Sequence, residues 1–268
     1  MKYREFITDV LQGASKIAID KFGKVTGTTK KEDNNQVLTE ADLAIGKYIV
    51  GKLQIHYPDY NVIDEEAGVI DNGSEFTWVV DPIDGSSNFA VGAPTYGIMI
   101  GLLNGSESIA GGFLSPSINE IYIAEKGNGA YLNGERIFVT KEQNLANCLV
   151  AYGIDGHQED PEFTRNEIKL LGEIILHIRN LRTSGSEPVD VGWVASGKYG
   201  ARLVQCQKIW DLVAPQIIIE EAGGIFTDFW GAPIDYSNPL KRTSENFTVC
   251  AASPELHKQL QDIIHSKV

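Results

Sequence analysis

The stretch WVVDPIDGSSNF, from Trp78 to Phe89, decides the fold because its character changes in the middle. Its first half is a short apolar run of strand-favouring residues, and Pro82 has no N–H to give to a sheet, so the strand is predicted to end there. Asp81 then lies at the carboxyl end of a buried strand, and Asp84 follows three residues later. An Asp-Gly pair is also typical of an ordinary turn, and the stretch alone leaves both interpretations open.

Composition limits the function classes. The chain has 268 residues, 43% of them hydrophobic, which is enough for one large core or two packed halves. Its formal net charge is -13 and it has no block of consecutive basic residues, which argues against a nucleic-acid partner and against an anionic membrane surface. An anionic ligand would therefore have to be held by a local arrangement of groups.

The cysteines and the N-terminal residues predict a cytoplasmic location. Cys148, Cys206 and Cys250 are widely spaced and form no CxxC pair, so neither a disulfide framework nor a zinc site is indicated. The first 20 residues are amphipathic, and no apolar run approaches the roughly 18 residues of a membrane span. We expect no export signal and no membrane partner.

Hydrophobic spacing predicts a chain of two halves. Residues 1–146 contain two helices, the second starting after Thr39 with Asp42 placed for a capping box, and a strand-rich stretch from Thr77 to Leu132 that predicts an antiparallel sheet with helices on one face. Residues 147–268 alternate shorter strands with helices, including the buried helix in DLVAPQIIIEEAGG, which indicates an α/β half. We expect one compact unit, α+β and α/β in layers, with a cleft between the halves.

Four acidic residues stand where acids are unfavourable. Besides Asp81 and Asp84, Glu65 follows the apolar run Asn61 to Ile63, and Asp211 heads an apolar helix. Glu65 could be a surface acid and Asp211 could simply favour a helix N-terminus. Together, carboxylates at strand ends repel one another unless cations lie between them, and an all-oxygen ligand set favours Mg²⁺.

Gly85 and Ser86 are predicted to open the next helix, and the N–H groups at a helix start bind anions. Metals and amides together would hold a phosphate without a cluster of basic residues. Two metals roughly 3.5–4 Å apart are a known clamp for an in-line phosphoryl displacement.

These motifs resemble those of the inositol monophosphatase family of Mg²⁺-dependent, lithium-sensitive phosphatases. The resemblance rests on DPIDGSSNF, the upstream DEE, and WDLVAPQIIIEEAGG, together with VLTEAD at residues 37–42 and RTSGS at residues 182–186. It implies a five-layered αβαβα sandwich, a homodimer, two or three Mg²⁺ ions in each site, and a small phosphomonoester as substrate.

The resemblance also implies roles for individual residues. The metal ligands would be the side chains of Glu65, Asp81, Asp84 and Asp211 and the carbonyl of Ile83. Ser86 stands where the family usually has threonine, and with Glu65 it would orient and activate a water.

Other positions match the surroundings of that site. Gly185 and Ser186 match a segment beside the substrate, and Lys31, Asp42 and Glu66 match outer and loop positions, where a structural or surface role is an equal alternative.

The sequence departs from the usual pattern of the family at two positions. Val204 stands where inositol-specific members usually have a glutamate that accepts a hydrogen bond from a substrate hydroxyl. Glu187 follows Ser186 at a position where a small residue is usual. We expect either that Glu187 faces the substrate, so that inositol monophosphate ranks below another ester, or that it only favours the first turn of its helix.

Several alternatives stay open for the function. Relatives with the same metal motifs act on fructose 1,6-bisphosphate, histidinol phosphate or 3′-phosphoadenosine 5′-phosphate. Asp81 could instead be a nucleophile that forms an aspartyl-phosphate, although two residues separate the aspartates where that mechanism wants one. A non-enzymatic metal-binding protein is the third possibility.

Overall fold

Apolar residues at helical spacing form the first layer of helices. In the computed structural model, which describes residues 2–24, 28–30 and 33–266, α1 spans Arg4–Lys21 and α2 spans Glu40–His56. Between them, β1 (Thr28–Lys30) and β2 (Asp33–Leu38) form an antiparallel pair. Thr39 caps α2, and its N–H donates to Asp42 Oδ2 at 2.8 Å, so the predicted capping box is confirmed.

An eight-stranded sheet follows. Its strands are β3 (Asn61–Asp64), β4 (Gly68–Ile70), β5 (Phe76–Asp84), β6 (Gly97–Asn104), β7 (Glu107–Ser115), β8 (Glu120–Glu125), β9 (Ala130–Leu132) and β10 (Glu135–Arg136). They lie in the order β10-β9-β8-β7-β6-β5-β3-β4, and every neighbouring pair is antiparallel except β3 with β5. The antiparallel arrangement predicted from Thr77 onward is confirmed.

The prediction that β5 ends at Pro82 is wrong. Asp81 is opposite Met99 and Asp84 is opposite Gly97, so β5 contains one extra residue between these two pairs. Pro82 lies in this bulge, where its missing N–H breaks no regular ladder bond. Both aspartates therefore belong to one strand, and the bulge sets their separation.

The second half forms a five-stranded sheet. Its strands are β11 (Leu149–Gly153), β12 (Asn180–Arg182), β13 (Ala201–Gln207), β14 (Ile225–Thr227) and β15 (Phe247–Ala252). The order is β12-β11-β13-β15-β14, in which the first three strands are parallel and the last two pair antiparallel. The remaining helices are α3 (Ser86–Val91), α4 (Pro161–Ile175), α5 (Glu187–Ala195), α6 (Val213–Glu221) and α7 (Pro254–His265).

The elements stack in five layers, as the resemblance implied. One apolar cluster joins α1 and α2 to a face of the eight-stranded sheet, and a second joins the opposite face to α5, α6 and the five-stranded sheet. A third joins the five-stranded sheet to α4 and α7. Within the first half, α1 and α2 lie on one face of the sheet as expected, and α5 and α6 of the second half cover the other face. None of the described helices has the length and apolar character needed to cross a bilayer.

Candidate active site

Three carboxylates converge at the end of β5. One oxygen from each of Asp81, Asp84 and Asp211 lies within 4.8 Å of the other two. The first two project from the bulged end of β5, and Asp211 ends a short 3-10 turn, Ile209–Asp211, that packs against β5. Asp81 is only 2% exposed, and its Oδ1 has no hydrogen-bond partner among the described residues. Asp211, from the second half of the chain, thus joins Asp81 and Asp84 in one cluster.

Glu65 lies at the same edge. It directly follows β3, which runs parallel to β5, and its N–H donates to the carbonyl of Val80 at 3.2 Å. The carboxyl ends of two parallel neighbours lie at one sheet edge, so this bond holds Glu65 beside the aspartates. Its negative charge raises the pKa of both Asp81 and Asp211.

The electrostatics of the cluster favour a cation. Burial raises the pKa of Asp81 well above its usual range, and the charges of Glu65, Asp84 and Asp211 raise it further. Burial and the neighbouring acids also raise the pKa of Asp211 well above its usual range. Burial also raises the pKa of Asp84 to about 8, although the Ser186 hydroxyl and the Glu187 N–H oppose that shift. A divalent cation would relieve this repulsion in place of protons.

Ser86 begins α3 beside the cluster. Its Oγ lies 2.7 Å from the carbonyl oxygen of Ile83 and 2.8 Å from Asp42 Oδ1, so its single proton has two acceptors. Asp42 is fully buried, and its Oδ2 accepts hydrogen bonds from the N–H and the hydroxyl of Thr39. The capping box of α2 therefore orients Asp42 toward Ser86.

Two glycine turns meet on the other side of Asp84. Gly85 has a φ of +78°, and a Cβ there would lie 3.1 Å from the carbonyl oxygen of Gly185, so only glycine lets these backbones approach. Asn88 Nδ2 donates to the carbonyls of Ser184 at 2.9 Å and Thr95 at 2.7 Å, which fixes the facing loop. Asn88 was not predicted as a site residue, although it lies in the stretch from Trp78 to Phe89.

Ser186 and Glu187 start α5 at this point. Ser186 is 2% exposed, and the Glu187 N–H donates to Asp84 Oδ1 at 2.8 Å. The Glu187 side chain is 1% exposed and forms an ion pair with Arg202, whose Nη2 lies 2.7 Å from Oε2. Glu187 lies in the first turn of α5, as one expectation had it, but the ion pair with Arg202 was not predicted. The missed residue is Arg202, the lone charge in the strand ARLVQCQ, and that isolation is its sequence signal.

Two further predicted positions, Glu66 and Val204, lie outside the cluster. Lys31 is outside the described residues. The Glu66 N–H donates to Asp64 Oδ1 at 3.0 Å, and Glu66 lines a cavity of about 380 Å³ with residues of α2 that include Lys47. Val204 is 4% exposed and packs in the apolar cluster between the two sheets.

Comparison with known proteins identifies relatives of the whole chain. Residues 2–268 match the model of the inositol monophosphatase family. A fructose-1,6-bisphosphatase/inositol-1-monophosphatase from Thermotoga maritima is 32% identical over 227 residues, which are 85% of each chain. A protein from Xylella fastidiosa named Nus factor SuhB is 30% identical over 228 residues, covering 85% of this chain and 81% of that protein. A solved IMPase structure from Thermotoga maritima superposes with a TM-score of 0.86 at 26% identity, over 99% of this chain and 98% of the other.

Proposed function

Because this chain belongs to the inositol monophosphatase family, a family of phosphatases, we propose that it hydrolyses a small phosphomonoester with the help of Mg²⁺ and releases inorganic phosphate. The observation that supports this most is the cluster of Asp81, Asp84 and Asp211, whose oxygens lie within 4.8 Å of one another. Inositol phosphates and related sugar phosphates are the proposed substrate class, in agreement with the printed name of the Thermotoga maritima relative.

The residues at the cluster fit a hard divalent cation. All the available donors are oxygens, and Asp81 Oδ1 is buried with no hydrogen-bond partner among the described residues. We propose that Glu65, Asp81, Asp84 and Asp211 hold two or three Mg²⁺ ions, with the Ile83 carbonyl as a further ligand. When bound, the ions would lower the pKa of a coordinated water and neutralise charge on the phosphoryl group.

Ser86 and Asp42 supply the path for a proton. If Ser86 donates its proton to Asp42 Oδ1, at 2.8 Å, the lone pairs of Oγ are free to accept a hydrogen bond from the attacking water. Glu65, at the same sheet edge, orients that water from the other side. The Thr39 N–H and hydroxyl keep the remaining oxygen of Asp42 occupied, so this carboxylate stays in one orientation.

The two loops around Asp84 form the rest of the phosphate site. Gly85 and Ser86 on one side, and Gly185, Ser186 and Glu187 on the other, bring their backbones close to Asp84. We propose that the N–H groups of Gly85, Ser86 and Gly185 and the Ser186 hydroxyl, which has no hydrogen-bond partner among the described residues, bind the phosphate oxygens. The Glu187 N–H holds Asp84, and Asn88 holds the second loop in place.

Two other functions remain as alternatives. A covalent aspartyl-phosphate on Asp81 is disfavoured because Asp81 is 2% exposed and two residues separate it from Asp84, where that mechanism wants one. A role without catalysis, as in an assembly protein, is compatible with the relatives named Nus factor. A protein with only this role would release no phosphate from any ester. A trapped phosphoenzyme would support the covalent mechanism.

The deciding experiment measures phosphate release from a panel of phosphomonoesters by the purified protein. With Mg²⁺ we expect turnover of at least one sugar or polyol phosphate, and with excess EDTA we expect none. Asp84→Asn should abolish turnover, whereas the exposed Asp59→Asn should not, since Asp59 lies outside the cluster. No release from any ester would refute the proposed function.

A further inference from the structure

Three charged side chains are buried between α5 and β13. Glu187 and Asp190 are each 1% exposed and Arg202 is 3% exposed. Arg202 donates from Nη2 and Nε to Glu187 Oε2, at 2.7 and 3.0 Å, and its Nε lies 3.7 Å from Asp190 Oδ2. Arg202 Nη1 also donates to the carbonyl of Leu203 at 2.8 Å. These bonds hold the Glu187 carboxylate in one orientation.

Gln207 connects this ion pair to a more accessible surface. Its side chain is partly exposed, and its Nε2 donates to Glu187 Oε2 at 3.1 Å. A carboxylate can only accept hydrogen bonds, so the amide of Gln207 must present its NH₂ group to Glu187. Its Oε1, at the other end of the amide, accepts no hydrogen bond from the described residues. The ion pair thereby fixes which end of the amide is free.

Gln207 is linked to the candidate active site through the chain and through Glu187. Gln207 is four residues before Asp211 on the same segment, and the N–H of its partner Glu187 reaches Asp84 Oδ1 at 2.8 Å. Val204, at the position expected to read a substrate hydroxyl, is apolar and packed in the core. Gln207 therefore provides a polar acceptor that Val204 cannot provide.

On the basis of the proposed phosphatase function, we propose that Gln207 determines specificity by accepting a hydrogen bond from a hydroxyl or amine on the leaving group of the phosphomonoester. Glu187 and Arg202 are positioning residues that hold the amide in the accepting orientation. The preferred substrates are then polyol or amino-alcohol phosphates, and esters whose leaving groups have no donor gain nothing from this contact.

The test compares two kinds of ester in wild type and in Gln207→Leu. Inositol monophosphate and glycerol phosphate have hydroxyl donors, whereas nitrophenyl phosphate has none in its leaving group. We expect kcat/KM for the first two to fall about tenfold, as for one lost hydrogen bond, and kcat/KM for nitrophenyl phosphate to stay within about twofold. Gln205→Leu is the matched control, because Gln205 lies two residues away but donates to the Tyr152 hydroxyl.

A double variant tests the positioning residues. Glu187→Met with Arg202→Met removes the ion pair while keeping apolar volume, a replacement that buried pairs often tolerate. We expect the same selective loss for the hydroxyl-bearing esters, with a retained thermal transition to show that the protein is folded.

The outcomes separate this inference from the proposed function. If wild type hydrolyses no ester of the whole panel, the phosphatase proposal itself fails, and if it hydrolyses other esters but neither inositol monophosphate nor glycerol phosphate, the assignment of Gln207 to polyol phosphates is refuted. If wild type is active and Gln207→Leu lowers all three rates equally, or leaves their ratio unchanged, the assignment of Gln207 is refuted and the phosphatase proposal stands. Because Gln207 is partly exposed, we expect Gln207→Leu to fold. This variant therefore tests the assignment of Gln207 even if the double variant of Glu187 and Arg202 does not fold.

Discussion

Asp84→Asn should make the metal-free protein more stable at high pH while it destroys metal binding. In the folded chain the pKa of Asp84 is about 8, raised by burial, whereas in an unfolded chain it is about 4. The folded state therefore holds a proton on Asp84 that the unfolded state releases, so stability falls as pH rises from about 4 to about 8. The asparagine has no charge to bury, and its side-chain oxygen can still accept the Glu187 N–H.

The size of the stability gain follows from the shift in the pKa of Asp84. At about 1.4 kcal/mol per pKa unit, four units correspond to roughly 5 kcal/mol. Asp84 is only partly buried by surface area, so water screens part of this energy. We expect the free energy of unfolding of the variant to exceed that of wild type by about 2–3 kcal/mol at pH 8. For a chain of this size that gain raises the melting temperature by roughly 5 °C.

The assay is thermal unfolding of both proteins in EDTA, at a pH below 5 and at about pH 8. The two melting temperatures should converge at low pH and separate at high pH, with the variant higher. Added Mg²⁺ should then raise the wild-type value and leave the variant unchanged. Asp59→Asn removes the same charge from an exposed site and should behave as wild type. An Asp84→Asn protein that melts below wild type at high pH in EDTA would refute the reasoning.

Three further predictions follow from the site. EDTA should abolish phosphate release, added Mg²⁺ should restore it, and Li⁺ should inhibit it, whereas steady turnover in EDTA would exclude the metal role. Ser86→Ala should lower kcat by about a hundredfold with little change in KM while Ser86→Thr stays active, and equal rates for alanine and serine would remove Ser86 from the mechanism. Glu187→Ala should lower the free energy of unfolding by about 3 kcal/mol in urea titrations, because it removes both hydrogen bonds from the buried Arg202 to Glu187 and leaves only Asp190 at 3.7 Å, and a change below about 1 kcal/mol would contradict this.

The sequence predicts best what depends on local pattern. The cap at Thr39, the helix that opens at Ser86 and the antiparallel strands after Thr77 all appear in the structure where spacing placed them. The bulge in β5 could not be predicted, because it depends on how Asp84 pairs with Gly97 on a neighbouring strand. A proline at the end of an apolar run is equally compatible with a strand that stops and with one that bulges.

The same limit applies to the site. Acids at the ends of apolar runs identify Asp81, Asp84 and Asp211 as unusual, and the fold brings their oxygens within 4.8 Å. The roles proposed for them remain predictions until the variants are measured. The orientation of Ser86 toward Asp42 depends on two helices that start 46 residues apart, α2 at Glu40 and α3 at Ser86, so no local pattern contains it.

The role of Glu187 could not be predicted from the residues next to it in the sequence. Its sequence neighbours allow a helix-start acid or a substrate contact, yet the side chain is buried against Arg202 from a strand of the other sheet. That arginine fits only because Gly153 on the adjacent strand has no side chain, since a Cβ there would lie 2.5 Å from Arg202 Nη2. A buried arginine requires an acidic partner, and Glu187 with Asp190 supplies it. The unusual glutamate in the first turn of α5 is therefore explained by a charge in β13, and in our proposal its effect on a substrate acts through Gln207.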